Sequence, residues 1–313
     1  MTSNEGPLRG RVAIITGGGR GIGREHALAF ARAGAAVVVN DLGGSGDGQG
    51  ADQGPAQEVV DEIRSLGGAA VANGDDVADE EGSARVVQLA LDEFGDLHTV
   101  VNNAGILRDR TLLNMSFEDW DSVIRVHLRG TFAMTRAAGR YWRDAFKAGR
   151  AVTGRIINTT SGSGLFGNFG QSNYGAAKGG IASLTVISAM ELGRYGVTVN
   201  AIAPVAKTRL TATAGMAEEI EEGFDPLAPE HVSPFVVWLG SEASGDVTGR
   251  AFTVVGGYVG VAEGWRIGSS IQADGPLDLD TIDAQIHEAI ARAKPNFGVF
   301  GSHPYGRSAT EDA

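Results

Sequence analysis

The chain has 313 residues, 42% apolar and 20% charged, enough to bury a sizeable core as one large domain or two small ones. Lys and Arg number 26 against 38 Asp and Glu, and the net charge of −12 disfavours nucleic acid and anionic membranes as partners. No cysteine is present, so disulfides, thiolate nucleophiles and cysteine-bound zinc are excluded, and no metal site is expected. The opening, Met1 to Gly10, lacks an apolar stretch of signal-peptide length, and no run of ~18 apolar residues could span a bilayer. A soluble cytoplasmic protein is the expectation. The 47 glycines are about twice the usual ~7%, which points to tight turns and close backbone approaches.

Val12–Thr16 is a short β-branched run that ends in the glycine cluster Gly17–Gly23. The spacing predicts a helix from Ile22 to Ala33 with Gly34 as its stop, then a strand at Ala36–Asn40 closed by Asp41. Runs that are apolar throughout, rather than alternating, suit strands buried on both faces of a parallel sheet. The alternation continues with helices over 54–66 and 80–94 and strands over 69–74 and 97–102. A long helix over 117–146 precedes a strand at 155–159, a helix at 172–194, a strand at 198–203 and a last strand at 251–255. The order implies an α/β fold: a single doubly wound Rossmann-type parallel sheet with helices on both faces. No linker divides it, and the chain reads as one domain, with a core over about 8–260 and a C-terminal extension over about 261–313.

Two segments depart from the alternation. Residues 43–54 hold six glycines in twelve positions, and inside a compact domain such a stretch predicts a functional loop rather than a linker. The extension carries one amphipathic stretch over 279–293, with Ile282, Ile286 and Ile290 on one helical face.

Thr16–Gly23 reads TGGGRGIG. Between a strand and a helix, Gly17, Gly21 and Gly23 let the backbone approach a pyrophosphate, whose charge would sit at the helix N-terminus. A tight turn alone would account for such glycines, but Asp41 adds a second signal. A carboxylate at the end of the second strand can accept hydrogen bonds from the adenine ribose and would repel a 2′-phosphate, favouring NAD. Tyr174 and Lys178 are spaced to share one helical face. An ammonium beside a phenol stabilises the phenolate and lowers the tyrosine pKa from ~10, fitting it for general acid–base work. Surface pairs at this spacing are common, so the pair alone is weak evidence. Ser161 could hold a substrate oxygen next to the phenol; on composition alone Thr160 and Ser163 are its rivals.

In order and spacing, TGGGRGIG, the NNAG at 102–105, Ser161, the Tyr174–Lys178 pair and Ala203–Pro204 resemble the short-chain dehydrogenases/reductases over roughly residues 8–260. VVVNDLGG at 37–44, NNAGILRDR at 102–110, RVHLRGTF at 125–132 and GNFGQSNY at 167–174 are similar to one group within that family. That group is the (3R)-hydroxyacyl-CoA dehydrogenase units of type 2 peroxisomal multifunctional enzymes, also called 17β-hydroxysteroid dehydrogenases type 4. Its extended loop after the second strand covers the adenosine half of the cofactor, and the glycine-rich 43–54 segment is similar.

The resemblance implies an NAD-dependent oxidoreductase that oxidises a secondary alcohol to a ketone. The substrate expected is a (3R)-3-hydroxyacyl-CoA, in fatty-acid or steroid side-chain β-oxidation. Tyr174 would be the catalytic acid/base, Ser161 would orient the substrate oxygen, and Lys178 would lower the tyrosine pKa and hold the nicotinamide ribose. Gly17, Arg20, Gly21, Ile22 and Gly23 would line the pyrophosphate and Asp41 the ribose. Asp76 and Val77 would flank adenine, Asn102, Ala104 and Gly105 would lie beneath the adjoining ribose, and Ala206 and Thr208 would approach the nicotinamide. A homodimer or homotetramer built on the long helices is also implied.

Two positions depart from the family pattern. His127 stands where the family has asparagine, and reads as a packed helix histidine outside the Ser161–Tyr174–Lys178 triad. Val205 replaces the glycine that usually follows Pro204. The family's multifunctional members continue into hydratase and carrier-like domains, so a chain ending at Ala313 is expected to be a stand-alone dehydrogenase. The alternatives are a 17β-hydroxysteroid dehydrogenase, a 3-oxoacyl-carrier-protein reductase, against which Asp41 speaks, and a non-catalytic NAD-binding scaffold, against which the intact triad speaks. Arg108, Arg110 and Arg209 are candidates for the coenzyme A phosphates, with intramolecular ion pairing, for instance to Asp109, as the alternative.

Overall fold

The apolar runs become neighbouring strands of one sheet in the computed structural model, which describes residues 6–294 apart from 49, 51, 53, 208–222, 266, 273, 274 and 278. In chain order come β1 (Val12–Thr16), α1 (Gly21–Arg32), β2 (Ala36–Asn40), α2 (Gly54–Ser65), β3 (Ala70–Asn73), α3 (Glu80–Phe94) and β4 (Thr99–Asn102). After β4 follow α4 (Phe117–Ile124), α5 (Gly130–Lys147), β5 (Arg155–Thr159), α6 (Gly162–Phe166), α7 (Ser172–Leu192) and β6 (Thr198–Pro204). The series continues with α8 (Ser233–Gly240), β7 (Ala251–Val255), β8 (Tyr258–Ala262) and α9 (Leu279–Arg292). The eight strands lie in the order β3-β2-β1-β4-β5-β6-β7-β8, and the pairs from β3 through to β7 are parallel.

Period-two alternation along each central strand feeds two cores. Ala13 and Ile15, Val37 and Val39, Val101 and Ile157 face α1, α2 and α8, where Leu28, Phe30, Val59, Ile63 and Leu239 close the layer. Val12 and Ile14, Val38, Val100 and Ile156 face the other way, onto Val86, Met134, Ala138 and Trp142 of α3 and α5. Every residue of β1, β4 and β5 is buried, whereas β7 alternates and β8 is mostly exposed. The sheet therefore passes from covered centre to open edge in the order of its strands. Register brings polar residues level at the C-terminal ends: Asn40 lies beside Asn73 and donates to its Oδ1 at 2.7 Å, and Asn102 lies beside Asn158 and does so at 2.9 Å.

Four elements differ from the sequence expectation. The helix expected over 117–146 is interrupted by a π-helical turn, Arg125–Arg129, between α4 and α5. Ala251–Val255 is not the last strand, because the two-residue Gly256–Gly257 link returns the chain as β8. The short α6 and α8 are further additions. By its contacts the chain falls into two compact units, Met1–Val261 and Ala262–Ala313. In the second, α9 realises the amphipathic stretch, with Arg292 3.6 Å from Glu288 one turn earlier. Among the described residues no helix is long and apolar enough to cross a membrane.

His26 of α1 is fully buried, with Nδ1 2.9 Å from the Ser233 hydroxyl at the start of α8, and burial lowers its pKa to about 3. The unfolded chain protonates this residue near 6.5, so between about pH 6.5 and 3 unfolding takes up a proton. Stability is expected to fall as pH drops through that window, by up to about 1.4 kcal/mol per pH unit for this one group. Urea unfolding at pH 7, 5.5 and 4.5 measures the fall, and His26→Gln should flatten it. An unchanged slope in that variant would remove His26 from the explanation.

Candidate active site

At the doubly wound sheet's switch point, β1 and β4 are neighbours whose following segments diverge, leaving a crevice beyond their C-terminal ends. Thr16 and Asn103 clamp the two sides together. The Thr16 hydroxyl accepts from the backbone N–H of Asn103 at 3.0 Å and of Ala104 at 3.1 Å. The Asn103 side-chain amide donates back to the carbonyls of Thr16 at 3.1 Å and Gly17 at 3.2 Å. Gly17 has φ +63°, and a Cβ there would stand 2.8 Å from the Ala104 backbone; one on Gly23 would stand 2.0 Å from the Gly17 carbonyl. The glycines are what allow the turn to close against the opposite wall.

Asp41 is held by two amides, accepting from Gly19 N–H at 2.9 Å and Gly43 N–H at 2.7 Å. Beyond it, Leu42, Gly44, Ser45 and Gly48 line a cavity of about 250 Å³. Gly17, Arg20, Gly21, Ile22, Gly23, Asp41, Asp76, Val77, Ala104 and Gly105 line the same cavity. A cleft floored by side-chain-free backbone, opening at a helix N-terminus and ending in a carboxylate, fits a dinucleotide. Asp76 accepts from Arg125 at 2.6 Å and from the Ala78 N–H at 2.8 Å.

Several expected contacts sit elsewhere. Asn102 does not line the cavity: it is buried and its amide is spent on Asn158 and Thr135. Asn103, the next residue in NNAG, lines the cavity instead. Ala206 is packed into the core, and Thr208 and Arg209 fall outside the described residues. Arg125, from the π-helical turn, also lines the cavity; it opens the RVHLRGTF stretch but was not among the expected site residues.

Ser161, Tyr174 and Lys178 come together beside this cleft. Ser161 caps α6, accepting from the Ser163 N–H at 3.2 Å, and lies near enough to the Tyr174 phenol to favour its ionised form. Its rivals are committed elsewhere. Thr160 donates to the Lys178 carbonyl at 2.7 Å, and Ser163 donates to Gln171 Oε1 at 2.7 Å. Lys178 Nζ lies 5.6 Å from the Tyr174 ring centre and donates to the Thr159 carbonyl at 2.6 Å. Burial lowers the Lys178 pKa to about 7. The tyrosine does not follow the expected direction. Burial pushes the phenol above its ordinary value, and Asp109 adds to that, while the nearness of Ser161 opposes it. A lysine that is itself desolvated and bonded to a carbonyl is too weak a counter-charge to reverse the sign.

His127 is buried in the π-helical turn, and its ring stands edge-on to Tyr174 at 5.3 Å and 87°. Its Nε2 lies 3.0 Å from the Ile106 N–H and 2.8 Å from the Ile106 carbonyl. Burial, with the Lys178 charge adding, lowers its pKa to about 3, so a neutral ring braces the tyrosine. A Cβ on Gly105 would stand 2.3 Å from this ring. Of the arginines, Arg108 is an intramolecular partner, 3.1 Å from Glu118 and 3.7 Å from Asp119 rather than paired with Asp109. Arg110 is exposed and donates to the Asp109 carbonyl at 2.8 Å.

Residues 11–219 match the family model described as short chain dehydrogenase. The chain is 45% identical over 303 residues to the hydroxyacyl-CoA dehydrogenase ChsB1 of Mycobacterium tuberculosis, covering 94% of this chain and 93% of that protein. It is 49% identical over 256 residues to the peroxisomal multifunctional enzyme type 2 of Mus musculus, covering 81% of this chain and 33% of that longer protein. A crystal structure of a short chain dehydrogenase from Mycobacterium avium superposes with a TM-score of 0.86 at 53% identity, covering 95% of this chain and all of that one.

Lys178 carries a stability signature of its own. Its folded pKa of about 7 lies below the ~10.5 of an exposed lysine, so between those values folding releases a proton. The stability of the native chain should therefore gain on that of Lys178→Met as pH rises from 7 towards 10. Thermal or urea unfolding of both at the two ends of the window measures the gap. A gap independent of pH would mean that Lys178 keeps an ordinary pKa in the fold.

Proposed function

Because the chain belongs to the short-chain dehydrogenase family, we propose that it is an NAD-dependent dehydrogenase that oxidises (3R)-3-hydroxyacyl-CoA thioesters to 3-ketoacyl-CoA. What carries the reading is the nearness of Ser161 to the Tyr174 phenol, one helical turn from a buried Lys178, beside a cleft that ends in Asp41. The likeness to a hydroxyacyl-CoA dehydrogenase along nearly the whole chain supports the choice of substrate.

Gly17, Arg20, Gly21, Ile22 and Gly23 hold the pyrophosphate, and Asp41 accepts from the adenine ribose hydroxyls. Asp76 and Val77 flank the base, and Ala104 and Gly105 lie under the ribose. When bound, the dinucleotide supplies the hydride acceptor. The substrate hydroxyl lies between Ser161 and Tyr174, with Ser161 fixing its oxygen and Tyr174, once ionised, taking its proton at the phenolate oxygen. Burial favours the neutral phenol, so deprotonation needs the Lys178 ammonium nearby. A lysine with a pKa of about 7 is poised to hold or release that charge near neutral pH. His127 keeps the ring in place without adding a competing positive charge.

NADH formation is to be followed on (3R)-3-hydroxyacyl-CoAs of several lengths, 17β-hydroxysteroids and the same panel with NADP. Turnover of the thioesters with NAD preferred is expected, and Asp41→Ala should narrow the preference. Turnover of steroids alone would favour a hydroxysteroid dehydrogenase, and equal or better kcat/KM with NADP would overturn the role of Asp41. Tyr174→Phe should lower kcat by roughly 10²–10⁴ and leave nucleotide affinity near normal. Retention of more than about a tenth of the rate would remove Tyr174 as the acid/base.

A further inference from the structure

The glycine-rich loop that roofs the cleft has an economical set of anchors. At its neck the Asp52 N–H donates to the Leu42 carbonyl at 3.0 Å, and Gly43, at φ +77°, has no room for a Cβ beside the Asp52 carbonyl. At its tip the Gly46 carbonyl accepts from the Leu107 N–H at 3.0 Å, and the Asp47 carbonyl accepts from Arg108 Nε at 2.9 Å. Gly48 lies so close to Ile106 that a Cβ would stand 3.0 Å from its Cδ1. The loop thus reaches from the end of β2, over the cavity, to the segment that follows β4.

Arg108 gives that far wall its grip. Its side chain is only 15% exposed, and Nη1 is turned towards Glu118 and Asp119 at the start of α4, which leaves Nε aimed at the loop. Its own carbonyl accepts from the fully buried Asn173 side chain at 2.9 Å, and Asn173 Oδ1 accepts from the Tyr174 N–H at 2.7 Å. One residue therefore touches the roof of the nucleotide cleft and the support of the tyrosine. A segment with this many glycines is expensive to order, so a charged donor fixed from outside weighs heavily in holding its path.

We infer that Arg108 is a positioning residue which holds the glycine-rich loop over the bound dinucleotide, and that this hold sets how slowly the nucleotide leaves. The inference rests on the proposed nucleotide site and goes beyond it. Arg108 is not itself among the residues that line the cavity.

The test uses the full chain with NADH as the probe, its dissociation followed by stopped-flow fluorescence. Arg108→Met should speed release on the order of tenfold, the scale of one lost hydrogen bond to a charged group, and Arg108→Lys should recover only part of it. A second variant replaces residues 44–50 by two glycines. It should release NADH at least as fast as Arg108→Met, and adding Arg108→Met to it should change nothing further. Hydrogen exchange supplies a readout without nucleotide: the Leu107 amide, bonded to the loop, should exchange faster in Arg108→Met. Release within twofold of the native rate would overturn the inference. So would a further, equal acceleration when Arg108→Met is added to the shortened-loop chain, which would place the effect of Arg108 in α4. Failure of the native chain to bind NADH at all would instead overturn the nucleotide reading.

Discussion

The site depends on the clamp between Thr16 and Asn103. Parallel strands that diverge at a switch point leave a crevice, but nothing in the sheet itself fixes its width. Here one hydroxyl accepts two amides from the opposite wall, and one side-chain amide returns two hydrogen bonds to the glycine turn. The partners are largely main-chain groups close to the sheet, so the wall separation is set to hydrogen-bond precision. The cavity, the floor of NNAG and the start of α1 all take their positions from it.

Burial decides charge in the second half of the site. Lys178 and His127 are both pushed towards neutrality, and the phenol of Tyr174 is pushed towards its protonated form. Near neutral pH the phenol and the imidazole are therefore uncharged, and Lys178 is only partly charged. Desolvation acts in the same direction on all three groups, whereas a nearby charge would act in opposite directions on acid and base. The resting protonation is a property of the pocket as a whole.

Much of this was legible in the residues. The central strands announced themselves as continuous β-branched runs, because both of their faces are covered. β8 was silent for the opposite reason: with glycine and tyrosine on a mostly exposed edge it lacks that signature, and only Gly256–Gly257 marked the return. The π-helical turn reads as unbroken helix, since the demand that widens it is tertiary: His127 must reach the Ile106 main chain. The spacing of Tyr174 and Lys178 showed that they share a face, but not that the lysine points to the Thr159 carbonyl. Asn103 was hidden by its neighbour, because two adjacent asparagines on a strand end point to opposite sides and composition cannot say which faces the cleft.

The contacts that hold the glycine-rich loop share one chemical trait. Leu42, Gly44, Gly46 and Asp47 all offer main-chain carbonyls, to an amide or to an arginine. Through these four contacts the rest of the protein reads the path of the loop rather than a side chain. Each of these carbonyls stays in place whatever side chain its residue carries, so long as the backbone keeps its path. The outer surface over the cleft is a place where charge and bulk can be retuned without disturbing the groups beneath it.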